Sequence, residues 1–225
     1  AGEKIRISGG GRCNFTNIYA SAENFLSENT HFAKSALARY TQWDFIDLVQ
    51  RYDIPFHEKT LGQLFCDTSA QDIIAMLRDL MQAAGAELWL KTSVTSVRNE
   101  NGIFTLDILK GECAETLTCK NLVLATGGKS IPKMGATGFA YDIATQFGMR
   151  VTGTRPALVP FTFSDGRFAE ISGVSLPVRA QAGEGVFDEA MLFTHRGLSG
   201  PAILQISSYW AEGADITLNL TPDGT

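Results

Sequence analysis

The heptapeptide SGGGRCN, residues 8–14, decides how this chain is interpreted, and the segment KIRIS that leads into it predicts a strand. Three consecutive glycines carry no side chains, so successive backbone N–H groups can approach an anion or a flat ring closely. Arg12 adds a planar guanidinium group that is always positively charged, and Asn14 adds an amide that both donates and accepts hydrogen bonds. The pattern favours a ligand-binding loop, and the alternative is a flexible linker or a hairpin turn.

A second glycine-rich segment ends the apolar run LVLATGG, residues 122–128. A short apolar run that ends in small residues is typical of a buried parallel strand that delivers a glycine turn. The tripeptide GKS at residues 128–130 does not complete a phosphate-binding P-loop, because Val123 stands where that loop requires a glycine. We predict that residues 125–128 pass close to a nucleotide, with a purely structural turn as the alternative.

A third segment, THRGLSGP at residues 194–201, places His195 and Arg196 just before a predicted helix over residues 198–210. Basic side chains at a helix N-terminus attract anions and polar groups, so both residues are candidates for substrate binding. The alternative is an ordinary helix cap in which the hydroxyl of Ser199 or Thr194 accepts the backbone hydrogen bond.

No pattern identifies catalytic residues or a metal site. The chain lacks GxSxG and HExxH, and His31 and His57 have no partner at a metal-ligand spacing. Aromatic residues between Phe25 and Phe56 recur at helical spacing, which is more typical of a core than of a stacking platform. We therefore expect the protein to position a ligand and to leave the reactive chemistry to a bound cofactor.

Sequence periodicity predicts helices in the first part of the chain and strands after it. Apolar spacing predicts helices within residues 31–53, and a capping pattern at Ser69 with a stop at Gly85 predicts another. A short helix is expected between residues 138 and 148. Alternation with a period of two predicts strands over AELWL, TSVTSVR, GIFTLDI and AETLTCK. A mostly β region is expected to begin near residue 151, where glycine and proline turns separate the predicted strands ALVPFTF, SLPVRAQ, EAMLFT and ADITLNL.

The composition is that of a folded globular protein. Hydrophobic residues make up 44% of the 225 residues and charged residues 19%, which excludes disordered, collagen-like and membrane-spanning classes. A net charge of −5 provides no overall basic field, so we do not expect a dedicated nucleic-acid binder, while a local basic patch stays open as an alternative. Four cysteines without a CxxC pair, and no visible export or membrane segment, lead us to expect reduced thiols in a cytoplasmic protein.

Four strings together resemble one known family: KIRISGGGRCNFTN, LVLATGGKSIPKMGATGFAYDIA, RPALVPF and LFTHRGLSGPAILQISSYW. They are similar to the HI0933-like (BaiN-like) bacterial flavoproteins, which use the glutathione-reductase-type FAD-binding fold. The resemblance covers nearly the whole chain and implies a mixed α/β (α+β) fold. It implies a partial Rossmann-like FAD-binding domain over residues 1–150, with a helical segment at 30–84, and the start of an inserted β-rich domain over 151–225.

The resemblance also implies which residues contact FAD. Val94 corresponds to the position where this fold gives backbone hydrogen bonds to adenine, whereas Glu3 stands where the family usually has a basic residue. The other implied contacts lie in the two glycine-rich segments: Lys4, Ser8, Gly9, Gly10, Gly11, Arg12, Asn14, Ala125, Thr126, Gly127 and Gly128. No GxGxxG motif occurs, nor the acidic residue that follows it in such folds, so we expect the 225 residues to be an internal portion of a longer protein.

The function implied by the resemblance is that of an FAD-dependent oxidoreductase, with NAD(P)H as a candidate electron donor. We expect hydride transfer to or from a small organic substrate, as in a reductase of conjugated double bonds or an amine-type oxidase. Two alternatives stay open: a flavin-dependent RNA-modifying enzyme, and a noncatalytic chain whose fold persists without the cofactor. The sequence does not indicate an oligomeric state.

Overall fold

The computed structural model describes residues 1–131 and 135–222, and the chain divides into two compact units, Ala1–Val151 and Thr152–Thr225. Both helices and sheets are present, so the predicted mixed α/β class is confirmed. Within the described ranges, no helix is long and apolar enough to cross a membrane, and no group of side chains could hold a metal ion.

The first unit contains five α-helices and two three-stranded antiparallel sheets among its described residues, in the orders β1-β3-β2 and β4-β5-β6. Its helices are α1 (Glu3–Ile7), α2 (Lys34–Arg39), α3 (Gln42–Arg51), α4 (Ala70–Ala83) and α5 (Phe139–Gln146). Its strands are β1 (Asn14–Asn17), β2 (Phe56–Glu58), β3 (Gln63–Cys66), β4 (Thr92–Glu100), β5 (Ile103–Lys110) and β6 (Cys113–Cys119).

Helix α4 shows why the predicted helices form. The Ser69 hydroxyl accepts a hydrogen bond from the Gln71 N–H at 3.1 Å and satisfies an otherwise unpaired donor at the N-terminus. Gly85 ends the helix with a φ of +69°, a backbone conformation that glycine adopts without strain. The apolar face of α4 packs in a core with α3 and β3, whose fully buried members include Val49, Cys66 and Ile73.

The second unit is a five-stranded antiparallel sheet in the order β11-β8-β9-β10-β7, covered by helix α6 (Pro201–Ile206). Every second residue of β8 from Val178 to Ala182 is buried, as expected for a sheet with one face in the core. The strands are β7 (Phe161–Thr162), β8 (Ser175–Ala182), β9 (Gly185–Thr194), β10 (Gly197–Ser199) and β11 (Thr217–Asn219).

Three predicted strands are wrong. KIRIS forms helix α1, in which Arg6 pairs with Glu3 one turn away and Ile5 packs against the α3–α4 core. AELWL, residues 86–90, forms no strand. LVLATGG, residues 122–128, also forms none, because every strand pair among the described residues is antiparallel and no parallel neighbour is available to it.

The predicted helix over residues 198–210 is shorter than expected. Leu198 belongs to β10, where it pairs with Phe193 of β9, and the helix begins only at Pro201. Gly200 precedes the helix with a φ of +91°, and a Cβ there would meet the Ala190 carbonyl oxygen at 2.8 Å. A glycine is therefore required where the chain turns from the sheet into α6.

Candidate cofactor site

A cavity of about 270 Å³ brings the beginning of the chain against the second glycine-rich segment. Lys4 Nζ donates a hydrogen bond to Ser130 Oγ at 2.7 Å across this cavity. The lining residues are Glu3, Lys4, Ala125, Thr126, Gly127, Gly128, Ser130, Ile131, Gly135 and Ala136. Five of the residues predicted to contact FAD, Lys4 and residues 125–128, thus meet in one place although they are distant in sequence.

Two glycines give the cavity its backbone wall. Gly127 has a φ of +72°, and nothing lies within 4 Å of the position where a Cβ would be, so its backbone faces open space. Gly128 differs, because a Cβ there would clash with the Tyr141 hydroxyl. The Ser130 N–H donates to the Gly128 carbonyl at 2.8 Å and tightens the turn. The backbone of Gly127 is therefore open to the cavity, whereas a side chain at position 128 would have to displace the Tyr141 hydroxyl.

The first glycine-rich loop follows α1 directly. Gly9, Gly10 and Gly11 have φ values of +56°, +67° and +90°, all in the left-handed region that favours glycine. A Cβ on Gly9 would meet the Phe65 ring at 2.7 Å, whereas nothing lies within 4 Å of the same position on Gly10. The Ser8 hydroxyl donates to the Ile5 carbonyl at 2.8 Å and ties the loop to the end of α1. Gly9 is thus needed for packing, and Gly10 leaves room for a ligand.

The side chains of Arg12 and Asn14 differ in whether they have hydrogen-bond partners within the chain. The Arg12 side chain is exposed, and only its carbonyl is tied to β3, where it accepts from the Cys66 N–H at 3.0 Å. In the amide orientation that satisfies its neighbours, the Asn14 side chain donates to the carbonyls of Thr16 and Leu64, both at 3.1 Å, and supports the β1–β3 pairing. Arg12 therefore keeps its guanidinium available for a ligand, while Asn14 has structural partners already.

The remaining predicted residues lie outside this cavity. Val94 pairs with Ile108 in the β4–β5 ladder and packs against the core between that sheet and α5. His195 and Arg196 form an exposed two-residue turn between β9 and β10 in the second unit. The expectation that they precede a helix N-terminus is wrong, because Thr194 Oγ1 accepts from the Gly197 N–H at 3.1 Å and organises a hairpin.

The volume and the polar groups of the cavity suit a phosphate group of a dinucleotide better than the whole dinucleotide. Whole-ligand pockets are usually about 300–1,000 Å³, and this one is about 270 Å³. An ammonium group, a hydroxyl and exposed backbone groups are the partners that phosphate oxygens require. Glu3 is the one carboxylate in the described lining; the hydrogen bond from Arg6 lowers its pKa, and the same Arg6 offsets its charge.

Sequence reasoning missed a second cleft in the first unit, which we call the aromatic cleft. It has a volume of about 510 Å³ and lies between β1 and helices α2 and α3. Its lining consists of Phe15, Thr16, Ala20, Ser21, Ala22, Phe25, Lys34, Leu37, Ala38, Tyr40, Thr41, Gln42 and Phe45. The expectation that the aromatic residues of this region are core is wrong for Phe25 and Tyr40, which are 49% and 53% exposed.

Comparison with known proteins identifies relatives over most of the chain. A sequence model of the family described as HI0933-like protein Rossmann domain matches residues 1–211. A protein of Escherichia coli strain K12 named ribosomal RNA dihydrouridine synthase is 54% identical over 99% of this chain. A protein of the same name from Haemophilus influenzae is 47% identical over 99% of this chain, and the chain spans 56% of the length of each of these two relatives.

A more distant relative is the 3-dehydro-bile acid delta(4,6)-reductase of Clostridium scindens, which is 24% identical over 94% of this chain, and 52% of its own length is covered. The family match confirms the resemblance to HI0933-like flavoproteins and the Rossmann-like fold class. The two nearer relatives contradict two expectations, namely a small organic substrate and the absence of a nucleic-acid partner.

Proposed function

Because the chain belongs to the HI0933-like protein Rossmann domain family, a family of flavin-binding proteins, we propose that it supplies a cofactor site of a flavin-dependent RNA-modifying enzyme. The proposed reaction is the reduction of uridine to dihydrouridine in ribosomal RNA. The observation that carries the proposal is 54% identity over 226 residues to the protein named for that reaction. The proposal includes a cytoplasmic location, where ribosomes work.

The chemistry of the reaction defines what the site must do. Uracil gains two hydrogens across its C5–C6 double bond; C6 is conjugated to the C4 carbonyl and accepts a hydride, while C5 accepts a proton. FAD in its reduced form would supply the hydride when bound, with NAD(P)H as the proposed source of electrons. The chain itself must bind the cofactor, orient it and hold the charge that the reaction creates.

The cavity and the first glycine-rich loop provide groups suited to this task. In this proposal, Lys4 and Ser130 hold a phosphate of the dinucleotide, since their side chains already meet at 2.7 Å in the cavity. The peptide groups of Gly127 approach the same phosphate because no side chain lies in the way. The exposed guanidinium of Arg12 stabilises negative charge on the reduced flavin ring or on the substrate.

The proposal is tested by measuring dihydrouridine in ribosomal RNA by mass spectrometry after the gene is deleted. We expect dihydrouridine to disappear at a specific site and to return when the intact wild-type protein is supplied. An unchanged dihydrouridine content after deletion contradicts the proposed function. The same cells provide a test of the cofactor loop when variants are supplied instead of the wild type.

Arg12→Ala should restore much less dihydrouridine than the wild type, and the purified intact protein should contain less flavin. A charged hydrogen bond is worth about 1.5–3 kcal/mol, which corresponds to a decrease of about 10- to 150-fold in affinity. Arg51→Ala, which removes an exposed arginine at the end of α3, is the matched control. Arg98 is a poorer control, because it lies in β4 and its guanidinium pairs with Asp107. Equal flavin content in the Arg12 and Arg51 variants contradicts the role of Arg12.

A further inference from the structure

The aromatic cleft presents two half-exposed rings at the surface. Phe25 is 49% and Tyr40 53% exposed, whereas Phe15 and Phe45 below them are partly buried with ring centroids 6.0 Å apart. Single exposed apolar residues are ordinary, but here two exposed rings line the same cleft. Such a surface suits a flat partner that stacks on aromatic rings.

The charge in the lining of the cleft is positive, whereas Asp44 accepts a hydrogen bond from Thr41 at its edge and Asp47 lies with Tyr40 on a neighbouring cavity. Lys34 is the one charged residue in the described lining, which contains no carboxylate. Residues 29–43 include His31, Lys34 and Arg39 and no Asp or Glu. The net charge of −5 is therefore distributed unevenly, and this segment interleaves basic and aromatic residues as surfaces that bind single-stranded nucleic acid do.

A second cleft in the same unit provides a contrast. It has a volume of about 320 Å³ and is lined by Tyr52 together with Asp53, Asp72 and Asp79. This cleft also offers an aromatic ring, 37% exposed, but its carboxylates would repel a phosphate backbone. The aromatic cleft differs in that its described lining combines two exposed rings with a lysine and contains no carboxylate.

The aromatic cleft is also continuous in sequence with the candidate cofactor loop. Phe15 and Thr16, which line the cleft, belong to β1 and directly follow Asn14. A strand rises about 3.3 Å per residue, so Thr16 lies at most about 17 Å along the chain from Gly11. A nucleotide bound in the cleft would therefore be held within a short distance of the loop that we assign to the cofactor.

We propose that the aromatic cleft binds an unpaired nucleotide of RNA, with the base stacked on Tyr40 and Phe25 and a phosphate next to Lys34. The inference rests on the proposed function, since RNA is the partner that it requires. It goes further by locating the contact surface on α2, α3 and the segment after β1. Unpaired bases can stack on aromatic side chains, whereas bases within an RNA helix are not accessible in this way.

The test measures binding of a fluorescent single-stranded oligouridine to the intact protein by anisotropy at several salt concentrations. Tyr40→Ala should weaken binding about 5- to 150-fold, the range expected for loss of one base–aromatic stack. Tyr40→Phe keeps the ring and should bind like the wild type. Lys34→Ala should weaken binding and reduce the slope of log affinity against log salt by about 0.7, the value for one phosphate contact on a single strand.

Matched controls separate this surface from general effects of the substitutions. Tyr52→Ala removes a tyrosine from the acidic cleft, and Lys120→Ala removes an exposed lysine after β6; neither should change oligouridine binding. Thermal unfolding of each variant shows whether the fold is intact. Wild-type affinity in folded Tyr40→Ala and Lys34→Ala variants, or no binding of oligouridine by the wild type, overturns the proposal.

Dihydrouridine measurements keep the two proposals distinguishable. If the wild type forms dihydrouridine and Tyr40→Ala forms it equally well, the cleft is not the RNA surface although the enzyme function stands. If no dihydrouridine depends on the protein but oligouridine binding still requires Tyr40, the RNA surface stands and the proposed reaction is wrong.

Discussion

At the scale of single residues, Gly127 connects backbone conformation with the proposed cofactor site. Its φ of +72° is strained for any residue with a Cβ, at a cost of about 1–2 kcal/mol. We expect Gly127→Ala to lower the flavin content of the purified intact protein and to reduce its free energy of unfolding by about 1 kcal/mol. Flavin absorbance relative to protein and denaturant unfolding provide the two measurements.

The control for Gly127 is Gly153→Ala, because Gly153 has no strained φ and nothing lies within 4 Å of its Cβ position. That variant should match the wild type in both measurements. Gly128 is a poorer test, since a Cβ there displaces Tyr141 and disturbs packing as well as binding. Normal flavin content in Gly127→Ala would indicate that this turn is purely structural.

Cys66 offers a second test at this scale. Burial raises the pKa of its thiol to about 11, and the neighbouring Cys13 adds to the effect. At pH 8 about one thiol in a thousand is then ionised, and the thiolate is the reactive form. We expect iodoacetamide to modify the exposed Cys113 quickly and Cys66 only after unfolding in urea. Modification of Cys66 in the native protein at the rate of Cys113 would contradict this assignment.

At the scale of elements, Asp107 joins the three strands β4, β5 and β6. Hydrogen bonds from Arg98, Ser96 and Thr116 hold the pKa of this carboxyl well below its usual range. The stabilisation is therefore present above the unfolded pKa and is lost as pH falls through the lower, folded value. We expect Asp107→Asn to lower the melting temperature modestly at pH 7, and the difference from the wild type to shrink below about pH 4.

Thermal unfolding between pH 3 and pH 7 measures this effect. Asp79→Asn is the matched control, because it removes an exposed carboxylate on α4 that bridges no strands. A difference between Asp107→Asn and the wild type that stays constant across this range would mean that the carboxylate charge does not support the sheet.

The elements that could be predicted from the sequence are those whose signals are local. Helix α4 combines a cap at Ser69, apolar residues every three or four positions and a stop at Gly85, and all three agree. KIRIS was ambiguous because β-branched residues favour a strand, whereas the Glu3–Arg6 pair and the packing of Ile5 favour the helix that forms. LVLATGG needs a parallel partner, which periodicity within the segment does not reveal.

The candidate site was only partly predictable for the same reason. The glycine pattern predicts that residues 125–128 pass close to a nucleotide, and the family resemblance implies a contact from Lys4, but their meeting in one cavity depends on tertiary contacts. The aromatic cleft was missed because helical spacing shows that Tyr40 shares a face with other residues and not whether anything covers that face. The hairpin at His195 was missed because a short turn and a helix cap use the same residue types.

At the scale of the whole molecule, the 225-residue chain should bind FAD weakly when expressed by itself. It contains no GxGxxG motif, and its cavity of about 270 Å³ accommodates only part of a dinucleotide. We expect it to purify without flavin absorbance near 450 nm and to give no micromolar FAD complex in calorimetry. The intact protein, which should retain flavin, is the control; a stoichiometric complex of the chain alone would contradict this prediction.

Helix α1 connects Lys4, which contacts the second glycine-rich segment at Ser130, to the first glycine-rich loop, which begins at Ser8. Lys4 lies at one end of it and Ser8 at the other, and the Lys4–Ser130 bond fixes its rotation. Each residue of an α-helix advances the chain by 1.5 Å and turns it by about 100°. One residue inserted between Lys4 and Ser8 would therefore swing Lys4 away from Ser130, so we expect a change in the length of α1 to cost more flavin binding than an insertion in the exposed turn at Asn101.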